Sequence, residues 1–148
     1  AGGDKPWPNN YGVDLSRGFT ALKVWFQLKE HGVKNLAHVI EKNCAQAEWL
    51  EQQVIANSQL EMMCKVSLNI TVFRYIGTNI LPDRLAKINK EIVIQLHEKG
   101  IAAPSETNIN GQVVIRTALC NHRTTKEDLS LLMSEVCRLG GEIANWET

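Results

Sequence analysis

No stretch of this chain approaches the roughly 20 consecutive apolar residues that a bilayer-spanning helix needs, and no basic-then-apolar leader precedes a small-residue cleavage site. The sequence therefore reads as a soluble protein with no membrane partner. Neither sign of charge is in excess, since 16 basic residues balance 16 acidic ones and both are scattered. That balance leaves no global field to recruit nucleic acid or an anionic surface. The four cysteines, Cys44, Cys64, Cys120 and Cys137, form no C-x-x-C pair, and with His31, His38, His97 and His122 they form no zinc-site spacing, so no metal is expected. Cys44 and Cys137 instead fall among apolar helix positions, where a free thiol acts as a small hydrophobe, and such usage suits a reducing cytoplasm. Repeats and low-complexity segments are also missing.

What is present is enough apolar material for one core: 44% of the 148 residues are hydrophobic. Its distribution is uneven. If residues 15–31 form one helix, Phe19, Leu22 and Phe26 line one side while Val24, Trp25 and Leu28 carry apolar surface round to the others. A surface helix shows a single stripe. This one requires cover on most of its circumference, which places it against something beyond the remaining helices.

Residues 1–13, with Gly2, Gly3, Pro6, Pro8, Asn9, Asn10 and Gly12, read as an irregular lead-in. Asp14 or Ser16 caps the first helix, and Gly32 ends it in the left-handed conformation. A second, one-sided helix follows, striped by Leu36, Ile40, Ala47, Leu50 and Val54, to about Asn57. Strands are expected at residues 60–64 and 68–75, then a helix from Pro82 to Gly100 striped by Leu85, Ile88, Ile92 and Leu96. A hairpin pairs residues 101–107 with 112–120 about Asn110-Gly111, a pair suited to a tight turn with positive φ. Thr124 with Glu127, or Thr125 with Asp128, forms a capping box for the last helix, which carries Leu129, Leu132, Val136 and Leu139 and is closed by Gly140-Gly141. Short connections favour antiparallel pairing. The fold class is α+β: a small antiparallel sheet of about four strands with helices packed on it, preceded by a long connecting helix. The expected boundary separates residues 1–32 from a domain at 33–148.

Arg116 is the residue with most chemical potential. Strand alternation places it with Val114, Ala118 and Cys120, while Val113, Ile115, Thr117 and Leu119 face the other way. A guanidinium between two mostly apolar faces is costly unless it meets an anion, and its planar fork suits a carboxylate. That anion is either an internal Asp or Glu or a ligand; alternatively the side chain snorkels to water. Arg74 lies near a strand end and reads as structural. His122-Arg123, in the loop before a capped helix, reads as a solvated turn in preference to an anion site. Trp7, Trp25, Trp49 and Trp146 have no base-stacking pattern and read as core or interface mass.

The segment Asp14-Leu15-Ser16-Arg17-Gly18-Phe19-Thr20-Ala21-Leu22-Lys23-Val24-Trp25-Phe26, preceded by Gly2-Gly3-Asp4-Lys5-Pro6-Trp7-Pro8 and followed by His31-Gly32-Val33, resembles the opening of the C-terminal region of group II pyridoxal-phosphate-dependent amino-acid decarboxylases. This family includes aromatic-amino-acid, glutamate and diaminobutyrate decarboxylases. The likeness continues through Leu68-Asn69-Ile70-Thr71-Val72-Phe73-Arg74-Tyr75, Val114-Ile115-Arg116-Thr117-Ala118 and Asn121-His122-Arg123-Thr124. Family members are several times longer and hold the cofactor through a lysine that follows a histidine, and no His-Lys pair occurs here. The resemblance implies the C-terminal domain of a fold-type I enzyme acting on an L-amino acid, with pyridoxal phosphate held by residues outside this sequence and no catalytic residue within it. It implies that the domain helps to close the active site, partnered by an upstream large domain and a second subunit. It assigns Arg116 to the substrate carboxylate and Leu15, Ser16 and Arg17 to the active-site rim. There the chain departs from the aromatic-amino-acid decarboxylases, which have Gly-Arg-Arg-Phe-Arg where it has Ser16-Arg17-Gly18-Phe19-Thr20. The alternative is a stand-alone, homodimerising α+β module that binds carboxylates on its sheet.

Overall fold

The computed structural model describes residues 11–12, 18–78 and 80–145. The chain divides into two compact units, Ala1–Leu36 and Ala37–Thr148. Helix α1 is a run from Thr20–Ala56 interrupted at Gly32, whose φ of 73° and ψ of 155° are not helical. The break was expected, but its conformation is not the left-handed helical one: positive φ with extended ψ belongs to a region that only glycine occupies readily. Beside this break the carbonyl of His31 accepts from Asn35 Nδ2 at 2.9 Å. Gly18 and Phe19, expected inside the helix, precede it.

In the first unit the apolar side chains lie largely in solvent. Phe19, just before the helix, is 72% exposed, and within it Val24 at 58%, Trp25 at 52% and Phe26 at 57% point to different sides instead of forming a stripe. Trp25 and Phe26 meet edge to face with centroids 5.1 Å apart, and Lys29 Nζ sits 5.7 Å from the Trp25 ring.

The second unit is α+β. Strands β1 (Leu60–Met62), β2 (Ile70–Tyr75), β3 (Ser105–Ile109) and β4 (Gln112–Ala118) form one antiparallel sheet in the order β1-β2-β4-β3, with α2 (Pro82–Glu98) and α3 (Lys126–Asn145) between and after them. Alternation sends Phe73 and Tyr75 of β2 and Ile115 of β4 into a common core. The C-terminal part of α1 adds Ala47, Leu50 and Val54 to it, α2 adds Ile88, Ile92 and Leu96, and α3 adds Leu129, Leu132, Val136, Leu139 and Ile143. Residues on the alternate positions, Val72, Arg74, Val114 and Arg116, form the other face. Val72 and Val114 are buried there, outside the main core cluster.

Two polar devices shape this core. Asn89 of α2 is fully buried; its Oδ1 accepts from Tyr75 N–H at 2.8 Å, while its Nδ2 donates to the carbonyls of Tyr75 and Leu85, each at 2.9 Å. It replaces a strand partner at the end of β2, beyond the last β2–β4 pair, Phe73 with Ile115. The second device is a missing side chain. A Cβ on Gly140 would lie 2.7 Å from the Tyr75 ring, so glycine allows α3 to lie directly on the tyrosine. The expected role of Gly140-Gly141 as a helix stop is corrected accordingly: α3 runs through both to Asn145.

The hairpin also departs from expectation at one end. Strand β3 begins at Ser105 and not at Ile101, because residues 100–104 complete the exit from α2. Gly100 at φ 64° donates its N–H to His97 O and Ile101 donates to Leu96 O, both at 3.0 Å, a Schellman closure. His97 Nε2 then lies 2.6 Å from Pro104 O. The tip is as expected, with Asn110 at φ 52° and Gly111 at φ 80° between the paired Ile109 and Gln112. Of the two possible capping boxes, Thr125 with Asp128 forms: Asp128 Oδ2 accepts from Thr125 N–H at 2.9 Å, and Thr125 Oγ1 accepts from Asp128 N–H at 3.3 Å.

Candidate functional site

The position of Arg116 follows from two registers. The Asn110-Gly111 turn pairs Ile109 with Gln112, which sets Ser105 opposite Arg116 on β3. On the other side β2 places Val72 opposite it. Arg116 thus sits mid-strand in an inner strand, between Val72 and Ser105, and is half-buried. Among the described residues no carboxylate and no hydrogen-bond acceptor engages its guanidinium, so the internal ion pair left open by the sequence is not formed there. Beyond its β-ladder pairing, its backbone carbonyl accepts from Ser105 Oγ at 3.5 Å.

Arg74 provides the contrast. It lies on the same sheet face, but register puts Glu61 opposite it, and Arg74 Nε meets Glu61 Oε2 at 2.6 Å. With the Glu61 side chain 45% exposed the pair is worth at most about 1 kcal/mol, but it occupies the guanidinium. Arg74 is structural, and Arg116 is an arginine whose planar donor set is still available. Leu15, Ser16 and Arg17 lie outside the described residues, so no geometry joins them to Arg116.

The other candidates are accounted for locally. Arg123 N–H bonds to Asn121 Oδ1 at 2.9 Å, and His122 O accepts from Lys42 Nζ at 3.0 Å, both at the surface. The Asp128 carboxylate already fills the α3 N-terminus, so an incoming anion would meet like charge. A cleft of about 340 Å³ between the 101–104 loop, the end of β4 and the start of α3 is lined by Pro104, Thr117, Asn121, Thr124 and Asp128 among others, and Arg116 is not part of it. The four cysteines are free. Burial pushes the Cys137 thiol up, against the opposing hydrogen bond from Asn57, and burial followed by the nearby Cys137 pushes the Tyr75 phenol up. The hydrogen bond from Arg138 pulls the Glu135 carboxyl down at the surface.

Pyridoxal phosphate is the cofactor implied by the sequence resemblance, and the lysines test whether it fits. A Schiff-base lysine needs a desolvated or charge-tuned setting that lowers its pKa. Every lysine among the described residues is exposed, and none follows a histidine. These residues do not fit covalent capture of the cofactor.

Sequence reasoning singled out Arg116 but did not foresee Ser105 as its neighbour. The signal was available, because a two-residue turn at Asn110-Gly111 fixes the whole β3–β4 register. Nothing in the sequence indicated that Val72 would be the neighbour on the other side.

With the antiparallel α+β domain and its mid-strand arginine described, comparison with known proteins gives the class. Residues 8–76 match the pyridoxal-dependent decarboxylase conserved domain. The aromatic-L-amino-acid decarboxylase of Bacillus atrophaeus is 34% identical over 134 residues, which is 90% of this chain and 28% of that protein. Histidine decarboxylase of Drosophila melanogaster is 33% identical over 117 residues, 79% of this chain and 13% of that protein. Among solved structures, the glutamate decarboxylase domain of the diaminobutyrate-pyruvate transaminase and L-2,4-diaminobutyrate decarboxylase from Vibrio parahaemolyticus superposes with a TM-score of 0.74 at 26% identity, covering 82% of this chain and 26% of that one. The chain belongs to the pyridoxal-dependent amino-acid decarboxylase family, and it spans under a third of the length of these relatives.

Proposed function

We propose that this chain is the C-terminal small domain, with its connecting helix, of a pyridoxal-phosphate-dependent L-amino-acid decarboxylase, and that it closes the active site and orients the substrate carboxylate through Arg116. The observation that carries this reading is the contrast between the two sheet arginines. Arg74 has its carboxylate built in, while Arg116, half-buried between Val72 and Ser105, has none among the described residues. Residues 1–32 then belong with an upstream large domain, which would enclose the apolar circumference of residues 19–28, and residues 33–148 form the small domain. Leu15, Ser16 and Arg17 are assigned to the rim of the site. The assembly is a cytoplasmic homodimer, and this chain by itself is inactive because the cofactor and its lysine reside elsewhere. Aromatic L-amino acids are the substrate class, in keeping with the relatives that act on aromatic amino acids and histidine.

The role of Arg116 is bounded by physics. A guanidinium tightly bound to the carboxylate that leaves as carbon dioxide stabilises charge that the transition state is losing, and such uniform or ground-state binding does not raise the rate. Its contribution is capture and orientation.

The test is Arg116→Lys in the full-length protein, with decarboxylation measured across a panel of L-amino acids and cofactor occupancy followed by absorbance. An ammonium keeps the charge but loses the bidentate fork, so kcat/KM is expected to fall by about 1.5 to 3 kcal/mol with cofactor loading unchanged. Arg116→Met is expected to lose more. Wild-type kinetics in both variants would reduce Arg116 to a structural residue.

A further inference from the structure

The tip of the β3–β4 hairpin carries reactive chemistry that the carboxylate site does not use. Asn110 and Gly111 are both exposed, and glycine, lacking a Cβ, gives its backbone nitrogen an unhindered approach to the side-chain amide of the preceding asparagine. Ring closure also requires that nitrogen to lose its proton. Here the Gly111 N–H is held by Asn108 Oδ1 at 2.9 Å, while positive φ at Asn110 and Gly111 fixes the turn.

We propose that Asn110 is a site of spontaneous succinimide formation that Asn108 keeps latched, so that the residue is stable while the hairpin tip is closed and converts when the tip opens. In the open tip, solvent base removes the Gly111 amide proton and the nitrogen bonds to Asn110 Cγ. The Cγ–Nδ2 bond breaks and ammonia departs with a proton from solvent, leaving a five-membered imide. Water then adds to either imide carbonyl, giving aspartate or isoaspartate, with no oxidant or reductant required. Either product places a negative charge at the tip. Isoaspartate also adds a methylene to the main chain, and a two-residue loop between paired Ile109 and Gln112 has no slack to absorb it. The strain passes into the ladder that sets Ser105 opposite Arg116, so conversion at the tip disturbs the strand that presents the guanidinium. The modification itself does not depend on the decarboxylase reading.

The experiment is a time course of the full chain at mildly alkaline pH, folded and in denaturant, with fragmentation mapping of the tryptic peptide covering residues 100–116. Folded wild type is expected to convert at Asn110 at least about tenfold more slowly than denatured wild type, because reaction needs local opening. Asn108→Ala, which removes the acceptor, is expected to lose most of that protection with its circular dichroism unchanged. Asn108→Asp, whose carboxylate still accepts from Gly111 N–H, is expected to keep it. Equal folded and denatured rates in wild type overturn the proposal, as does conversion at Asn108 instead of Asn110, or an Asn108→Ala variant that stays folded and reacts as slowly as wild type. Should Asn108→Ala unravel the hairpin, the Asp variant decides: slow conversion supports the latch and fast conversion removes it.

Discussion

Asn89→Leu isolates the amide that completes the end of β2. The substitution keeps the branched four-heavy-atom outline of the side chain, though in a larger volume, and strips the N–H and C=O of Tyr75 of their partners. The carbonyl of Leu85 loses only an extra donor, since its regular helical partner is the Asn89 backbone. Tyr75 is buried, so water cannot replace what is lost. Two orphaned buried groups at about 2 kcal/mol each, less about 1 to 2 kcal/mol for burying an apolar side chain, leave a net loss of about 2 to 3 kcal/mol. Against a total stability of about 5 to 15 kcal/mol that is a large fraction. Urea titration followed by circular dichroism and tryptophan fluorescence measures it as a fall in midpoint at constant slope. Asn89→Asp separates hydrogen bonding from packing. Its ionised carboxylate accepts from Tyr75 N–H but repels Tyr75 C=O, whereas the protonated form donates to that carbonyl. Burial favours the neutral acid, so stability relative to wild type is expected to rise as pH falls through the carboxyl's raised folded-state pKa. A loss under about 1 kcal/mol in Asn89→Leu, or no relative recovery of Asn89→Asp in acid, would falsify the view that this amide stands in for a strand.

Gly140→Ala puts a methyl 2.7 Å from the Tyr75 ring and is expected to cost about 1 to 3 kcal/mol in urea titration, with part recovered in a Gly140→Ala, Tyr75→Leu double variant. Independent costs in the double variant would refute the packing account of this glycine. Trp25→Glu and Phe26→Glu replace side chains that are more than half exposed, so they are expected to reduce apolar-dye binding and leave unfolding of residues 37–148 within about 0.5 kcal/mol of wild type. Loss of the whole fold in either would make this helix part of the core. Alkylation mapped by mass spectrometry is expected to label exposed Cys64 and Cys120 before Cys137, whose thiol burial holds above its ordinary pKa. Because a raised thiol pKa contributes stability only while the thiol is protonated, that contribution is lost as pH climbs through the folded value. Early labelling of Cys137 would contradict the structure.

Most of the fold could be read locally. The stripes on α2 and α3, the Pro82 start, the Gly100 stop and the Asn110-Gly111 turn each depend on interactions within a few residues, and each is where periodicity and turn chemistry put it. The departures at Gly140 and Asn89 originate in long-range packing, whereas that at Ile101 comes from the local closure of a helix. Gly140 looked like a helix terminator because glycine is the usual residue past a helix end, but its function is set by Tyr75, 65 positions earlier in sequence and invisible to any local rule. Ile101 looked like strand because it opens an apolar run, but its N–H is consumed by Leu96 in closing α2. Asn89 offered no signal at all, since an asparagine in a helical stripe reads as an interruption until the end of β2 is seen beside it.

The candidate site was legible to the same degree and for the same reason. Alternation alone put Arg116 among apolar residues and raised the question of its anion, but only register answers whether the chain supplies one. Register gives Arg74 its glutamate and gives Arg116 a valine and a serine. Neither neighbour carries charge, so the cost of half-burying a guanidinium is not offset by an ion pair among the described residues. Arg116 is only partly buried, so water at its exposed side is one source of compensation. A carboxylate ligand and a carboxylate on a docking domain both supply it. Assembly measured beside kinetics distinguishes them: a docking carboxylate would make Arg116→Lys lower activity through loss of docking, whereas a substrate carboxylate, common to every amino acid tested, makes it raise KM with the domain still docked.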